Sequence, residues 1–339
     1  MQHLLKKILH KLLPHSWLYL FLFLSSYAQN SLAACAASAT TTPALLDYGT
    51  YASQNVPAGG ISPNGTGVSA NFSVSCSIGL TLQLLSTTSW VRYTAQNALT
   101  LTNGTDTISY TMGSNSTYTP AITASGQSIG GPTGFQLLTL AVVASGKIDI
   151  PIYVKTLTTT IWPSAGTYTG TQSLAVDGVM CTGIGIGGIC LGTNPISSTV
   201  TFSLKLVVSK SCEFISTPTL VDFGVASFIA NANTAQLSAT LRCTNQEDYL
   251  LYIDNGNNYA SSTRRMKSAA NNYISYDIFK PSSTTPLNAL SALSRLGTGA
   301  SENIIFPFKV TTGQSTPIAG VYTDNVRVSL NIKFIHRVF

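Results

Sequence analysis

Five markers occur twice in this chain, in the same order. The first copy carries Cys35, Asp47-Tyr48-Gly49, Cys76, Ile150-Pro151-Ile152 and Pro163-Ser164-Ala165-Gly166-Thr167-Tyr168-Thr169. The second carries Cys212, Asp222-Phe223-Gly224, Cys243, Phe306-Pro307-Phe308 and Pro317-Ile318-Ala319-Gly320-Val321-Tyr322-Thr323. An ordered repeat constrains a fold more than any single motif, because both copies must build the same supersecondary plan. A length of 339 residues has room for two domains of ordinary size.

The periodic stretches favour strands. Val200, Phe202, Leu204 and Leu206 alternate with Thr199, Thr201, Ser203 and Lys205. Val326, Val328, Leu330, Ile332 and Phe334 alternate with Arg327, Ser329, Asn331 and Lys333. Period-2 patterning of β-branched and aromatic residues is the signature of half-buried strands. Asn103-Gly104, between Ala98-Leu99-Thr100-Leu101 and Thr107-Ile108-Ser109-Tyr110, is a hairpin signal. Helical periodicity is scarce, with Leu290 to Leu296 expected as a short turn and Arg264-Arg265-Met266-Lys267 as a solvated loop. The expected fold is all-β, two immunoglobulin-like sandwiches.

The two copies end differently. In the second, Tyr322-Thr323 leads into the strand Val326 to Phe334 and a short tail. In the first, Tyr168-Thr169 leads into the equivalent strand Ser173 to Val176, then an insert from Asp177 to Pro195 and a further strand, Thr199 to Val208. The first sandwich therefore has a final strand that the second lacks. The chain divides into a leader over 1–33, a self-complete sandwich over 34–209, and an incomplete one over 210–339 that needs a strand from another molecule. An edge without its neighbour leaves backbone donors and acceptors unpaired. Val326, Val328, Leu330, Ile332 and Phe334 would line the resulting groove. Filling it with about five alternating side chains contributes on the order of 8–15 kcal/mol. The alternative is that Ile335 to Phe339 or a loop covers the edge.

The N-terminus reads as a secretory signal: Lys6, Lys7 and Lys11, then the apolar core Trp17 to Leu24, then small residues with cleavage near Ala28 or Ala33. Leu32-Ala33-Ala34-Cys35 also fits a lipoprotein box. Against that stand the polar stretch Ser25 to Ser31 and the mid-chain counterpart of Cys35, Cys212. Without the three leader lysines, 15 basic residues face 12 acidic ones, spread along the chain. That balance disfavours nucleic acid as a partner. Six cysteines in an exported chain suggest three disulfides. The repeat makes Cys35–Cys76 and Cys212–Cys243 equivalent pairs and leaves Cys181 with Cys190. Each of the two longer loops would stabilise by roughly 3–4 kcal/mol in the chain-entropy picture.

Paired cysteines, an Asp-aromatic-Gly turn and Pro-x-Ala-Gly-x-Tyr-Thr leading into a last strand resemble the spore coat protein U-like domain, the subunit domain of archaic chaperone–usher pili. A tandem of this length resembles the tip subunit of the Csu-type pili within that group. The resemblance implies an exported protein at a pilus tip on the bacterial surface, active in adhesion and biofilm formation. It also implies a periplasmic chaperone and an outer-membrane usher as partners, and a neighbouring pilin that donates a strand to the incomplete domain. Shaft subunits of the family carry their own N-terminal donor extension. Here at most six residues are expected to precede Cys35 after cleavage, too few for a strand of about ten residues.

From Cys35 to Lys205 only Asp47, Asp106, Asp149 and Asp177 oppose Arg92, Lys147, Lys155 and Lys205. A charge-poor domain suits a hydrophobic abiotic or host surface. Ile184, Ile186, Ile189 and Leu191, interleaved with glycines, form the clearest apolar loop, followed by Val142, Val143 and Ala144, then Ile129. The alternatives are a glycan-binding tip using Trp90, Tyr118 or Trp162, and an exported structural subunit without adhesive role.

An enzyme is not expected, and neither is a cofactor. Gly126-Gln127-Ser128-Ile129-Gly130 fits a nucleophile elbow, but the histidines are His3, His10, His15 and His336, three in the leader and one in the tail. Gly183 to Gly188 fits a dinucleotide fingerprint without a following helix or acid. With its cysteines assigned to disulfides, the chain offers no metal-ligand cluster.

Overall fold

A computed structural model describes residues 35–76, 89–132, 147–186, 189–288 and 290–332, with the side chains of 181–191 outside that description. The expected leader, Val142, Val143, Ala144, Phe334 and the tail 335–339 lie outside the described residues. The first copy forms β1 (Cys35–Ala37), β2 (Thr40–Ala52), β3 (Ala70–Cys76), β4 (Trp90–Ala95), β5 (Thr100–Asn103), β6 (Asp106–Gly113), β7 (Ala121–Ile122), β8 (Ser128–Gly130), β9 (Lys147–Thr156), β10 (Gly166–Ile186) and β11 (Ile189–Ser209). The second forms β12 (Cys212–Ser216), β13 (Ala235–Cys243), β14 (Asp248–Ile253), β15 (Arg264–Ser268), β16 (Tyr273–Ile278), β17 (Leu293–Leu296), β18 (Ser301–Val310), β19 (Tyr322–Thr323) and β20 (Val328–Ile332). Among the described residues there is no α-helix. The fold is all-β.

Two separate cores form, one from residues between Cys35 and Val208 and one from residues between Ala235 and Phe308. The copies share register as well as order. In the first, Leu174 lies opposite Ala95 and Gly178 opposite Val91. In the second, Val328 lies opposite Ile253 and Ile332 opposite Tyr249. Phe72 faces Ile150 as Leu237 faces Phe306. Disulfides join Cys35 to Cys76 and Cys212 to Cys243, each tying a short first strand to its neighbour. Cys181 and Cys190 fall among the side chains outside the description.

The repeated motifs are structural devices. Asp47 Oδ1 accepts from Gly49 N at 2.9 Å and Asp222 Oδ1 from Gly224 N at 2.8 Å. Both glycines hold positive φ, +87° and +74°. In β2 the turn is a bulge: Asp47 pairs with Lys205 and Thr50 with Val207, so Tyr48 and Gly49 together oppose one residue and Tyr48 turns into the core. The Pro-x-Ala-Gly-x-Tyr motif is a tyrosine corner. Tyr168 OH donates to Ser164 O at 3.0 Å, and Tyr322 OH to Ile318 O at 2.6 Å.

Three expectations are corrected. The Asp177–Pro195 insert is strand rather than loop, since β10 and β11 run on as one hairpin with Gly178 opposite Ile196 and Ile186 opposite Ile189. Alternating small and apolar residues keep the backbone extended past the sandwich. Leu293–Leu296 is an edge strand paired with β14. Arg264–Lys267 belongs to β15, and Arg264 is only 5% exposed. Its guanidinium donates to Asp254 O, Leu287 O and Ile253 O at 2.9, 2.6 and 3.0 Å, stapling two backbone segments of the second core to β15.

The cores meet at a polar junction. Ser53 Oγ hydrogen-bonds with Ser211 Oγ at 2.7 Å and also with Thr244 Oγ1. Asn245 Nδ2 donates to Asp106 Oδ2 at 3.2 Å, and Trp162 N to Gly299 O at 2.9 Å. The Arg242 guanidinium lies 5.0 Å from the Trp162 ring centroid and donates to Thr160 O at 3.2 Å. Burial would raise the Asp106 pKa. The hydroxyl and amide of Ser164, the Asn245 amide and the Tyr168 hydroxyl outweigh it and hold the carboxyl below its ordinary 3.8.

Replacing Arg264 by Met should lower unfolding free energy by about 3 kcal/mol, because buried carbonyls lose their donor. Urea denaturation of the variant checks this, and an unchanged midpoint would show that water replaces the guanidinium. A depressed native pKa gives stability that is present above the unfolded value and lost as pH falls through the native one. The junction should therefore weaken below about pH 4, the ordinary carboxyl range, and Asp106→Asn should flatten that acid limb in a thermal-melt series.

Candidate functional site

The sheets of the first sandwich close into a ring. β11 pairs antiparallel with β10 on one edge and parallel with β2 on the other, so one strand joins both sheets. In the second sandwich the sheets stay separate, in the orders β12-β13-β18-β16-β15-β19 and β17-β14-β20. β20, the counterpart of β10, pairs with β14 alone among the described residues. The segment 217–226, counterpart of the middle of β2, forms no strand. The open edge lies between these two segments.

Side chains register the difference. In the first sandwich Leu46, Tyr48, Leu174 and Val176 are at most 3% exposed. Their counterparts Val221, Phe223, Val328 and Leu330 are only half-buried against the second core, as is Val326. Of the expected groove residues, Val328, Leu330 and Ile332 lie on β20 and Val326 two residues before it, and Phe334 lies outside the described residues. Val221 and Phe223 supply the opposite wall, which sequence reasoning missed. The repeated Asp-aromatic-Gly turn was the available signal, because it carries the partner surface of the closing strand in the first copy.

The two walls are held differently. Asp254 Oδ1 accepts from Arg327 N at 2.9 Å and from Gly256 N at 3.0 Å. Asp324 Oδ1 accepts from Asn257 N at 3.0 Å and Asn258 N at 3.2 Å, while Tyr276 OH donates to Asp324 Oδ2 at 2.8 Å. Gly256 is required here, since a Cβ on it would collide with the Asp324 carboxylate. These bonds fix the entry to β20. Opposite, Leu220, Val225 and Phe228 are 76%, 99% and 63% exposed.

The far end of the first sandwich holds the other expected residues. Ile184, Ile186, Ile189 and Leu191 lie on the β10–β11 hairpin beyond Val179↔Trp90, the last pairing of β10 with β4. At roughly 3.3 Å per residue the hairpin runs on for about 20 Å past that point. Val142, Val143 and Ala144 lie outside the described residues. Ile129 is corrected: it is 2% exposed, in β8 opposite Tyr93, where β8 covers the edge of β4. Gly130 permits that approach, because a Cβ there would strike Val91 O. Ser128 sits in the same strand with its Oγ 2.8 Å from Thr94 Oγ1, so the Gly126–Gly130 motif forms no strand-to-helix elbow. Of the aromatic platforms, Trp162 is buried at the junction, while Trp90 and Tyr118 are half-exposed. Lys155 Nζ lies 4.1 Å from the Tyr118 ring centroid, and the Arg92 guanidinium 5.9 Å from that of Trp90.

Residues 198–329 match the Spore Coat Protein U domain. That match spans the second sandwich. The matched stretch of the Spore Coat Protein U domain begins inside β11, ahead of Cys212, and ends inside β20. Among solved structures, the chain is similar to the chaperone–tip adhesion subunit pre-assembly complex CsuC–CsuE of Acinetobacter baumannii, at 22% identity and TM-score 0.45 over 88% of this chain and 100% of that one. It is also similar to CfaE, the adhesive subunit of CFA/I fimbria of enterotoxigenic Escherichia coli, at 12% identity and TM-score 0.33 over 84% and 92%. The CupB6 tip adhesin of Pseudomonas aeruginosa matches at 10% identity and TM-score 0.31 over 77% and 85%. No curated protein matches the chain in sequence.

Limited proteolysis should cut first within 217–234, where exposed apolar residues lie outside any strand of five residues or more. Peptide mapping of the earliest nick checks this. A first cut inside β13 or β18 would show that the second core opens before its loose wall.

Proposed function

We propose that this chain is the tip adhesin of an archaic chaperone–usher pilus. One observation carries the reading: β20 has an open edge at the place where its repeat counterpart β10 is closed by β11. An open edge flanked by half-buried Val221, Phe223, Val326, Val328 and Leu330 is an acceptor for an extended strand. A periplasmic chaperone supplies that strand first, and a neighbouring pilin subunit replaces it after delivery to the outer-membrane usher. The first sandwich, which contains its own closing strand, is left free at its far end. That end carries the β10–β11 hairpin with Ile184, Ile186, Ile189 and Leu191. It attaches the cell to apolar surfaces and starts biofilm formation. Its domains are a leader over 1–33, an adhesin domain over 34–209 and a pilin domain over 210–339.

Exported alone, the chain should aggregate or be degraded. Co-expressed with a periplasmic pilus chaperone, it should be recovered as a soluble one-to-one complex by gel filtration. A stable soluble monomer made without a partner would overturn the acceptor reading. For the adhesive face, changing Ile184, Ile186 and Val143 to Asp should cut attachment to plastic at least ten-fold with pilus assembly intact. Full attachment by the assembled variant would refute that assignment, and inhibition by free sugar would favour a glycan ligand instead.

A further inference from the structure

We propose that Asp222 sets the register of the strand that the second sandwich accepts, by pairing with a basic residue on that strand. The inference rests on the acceptor reading above and specifies what the accepted strand carries.

The template is inside the same chain. Thr42-Pro43-Ala44-Leu45-Leu46-Asp47-Tyr48-Gly49 recurs as Thr217-Pro218-Thr219-Leu220-Val221-Asp222-Phe223-Gly224. In the first sandwich one oxygen of Asp47 caps its own turn through Gly49 N, and the other accepts from Lys205 Nζ at 2.9 Å. Lys205 stands on β11 directly opposite Asp47, between the inward-facing Leu204 and Leu206. In the second sandwich Asp222 caps the same turn through Gly224 N with the same oxygen, Oδ1. Its carboxylate is exposed, and among the described residues it makes no ion pair. The cation that closes the first copy is the missing member of the second.

The rest of the geometry transfers with it. Val200 lies opposite Leu174 and Phe202 opposite Gln172 in β10, and the counterparts of those two positions are Val328 and Val326. Because β20 keeps on β14 the register that β10 keeps on β4, a strand seated like β11 places apolar side chains against Val326 and Val328 and a small residue opposite Leu330, as Ser198 stands opposite Val176. Alternation alone leaves that placement ambiguous. A slip of one residue turns the apolar face outward, but a slip of two preserves it. A single charge opposite Asp222 separates the registers, because a two-residue slip carries it to Leu220 or, past the bulge, to Val225.

The test uses the full-length chain, released from its chaperone complex by exchange with a labelled synthetic peptide of residues 198–209 that has lysine or glutamate at the position of Lys205. Chains with native Asp222, Asp222→Asn (which keeps an acceptor for Gly224 N) and Asp222→Lys are titrated with both peptides. Hydrogen exchange is read over 217–228 and 328–332. The native pair should bind and protect both segments. The glutamate peptide or Asp222→Lys alone should weaken binding about five-fold, as expected for an exposed ion pair, and the reversed pair should recover it. Asp222→Asn should lose the discrimination between peptides, and raised salt should shrink it. Equal affinity across all combinations would overturn the role of Asp222. A peptide that protects neither segment would overturn the β11-like register. The acceptor reading itself falls only if the unpartnered chain proves stable and monomeric.

Discussion

A β-sheet edge must be satisfied by something, because each residue along it presents backbone groups that water or another strand has to pair. In this chain one strand decides how that requirement is met. β11 bonds to β10 and β2 at once and turns two sheets into a ring. Its inward side chains Val200, Phe202, Leu204, Leu206 and Val208 fill the space between them. The second sandwich has counterparts for β10 and for the turn in β2, but among its described residues no counterpart for β11. Its two walls consequently stay half-buried.

The repeated motifs make sense as parts of that closure. The Asp-aromatic-Gly bulge turns an aromatic ring inward while letting the backbone continue beside the closing strand. The tyrosine corner anchors the entry to the strand on the other side. Both persist in the second copy, with the same hydrogen bonds to Gly224 N and Ile318 O. The second sandwich therefore keeps both motifs, while among its described residues no strand pairs as β11 does in the first. The entry to β20 is fixed by Asp254 and Asp324, whereas 217–226 pairs with no strand among the described residues.

The junction links the second sandwich to the first through short polar contacts rather than a long tether. Ser53, Ser211 and Thr244 share hydrogen bonds where β11 ends and β12 begins. Arg242 covers Trp162, and Asn245 reaches Asp106. That arrangement suits a protein proposed to bear load between a surface and a fibre.

Much of the plan was legible in the sequence because period-2 alternation and an ordered repeat both survive without knowledge of contacts. The all-β class, the Asn103-Gly104 hairpin and the unequal ends of the copies follow from those signals alone. Other features depend on which neighbour a segment meets. Gly-rich alternation beyond Asp177 reads as a loop until β11 is seen pairing with it residue by residue. Ile129 reads as a free apolar residue until β8 lies across β4. Arg264 reads as solvated charge until three carbonyls converge on it. Local sequence determined the strands, their faces and the turns between them, because those depend on alternation and backbone conformation. Only the tertiary structure decided which edges close, which charges are buried and which side chains of the second sandwich stay half-buried, because each is settled by residues far apart in the chain.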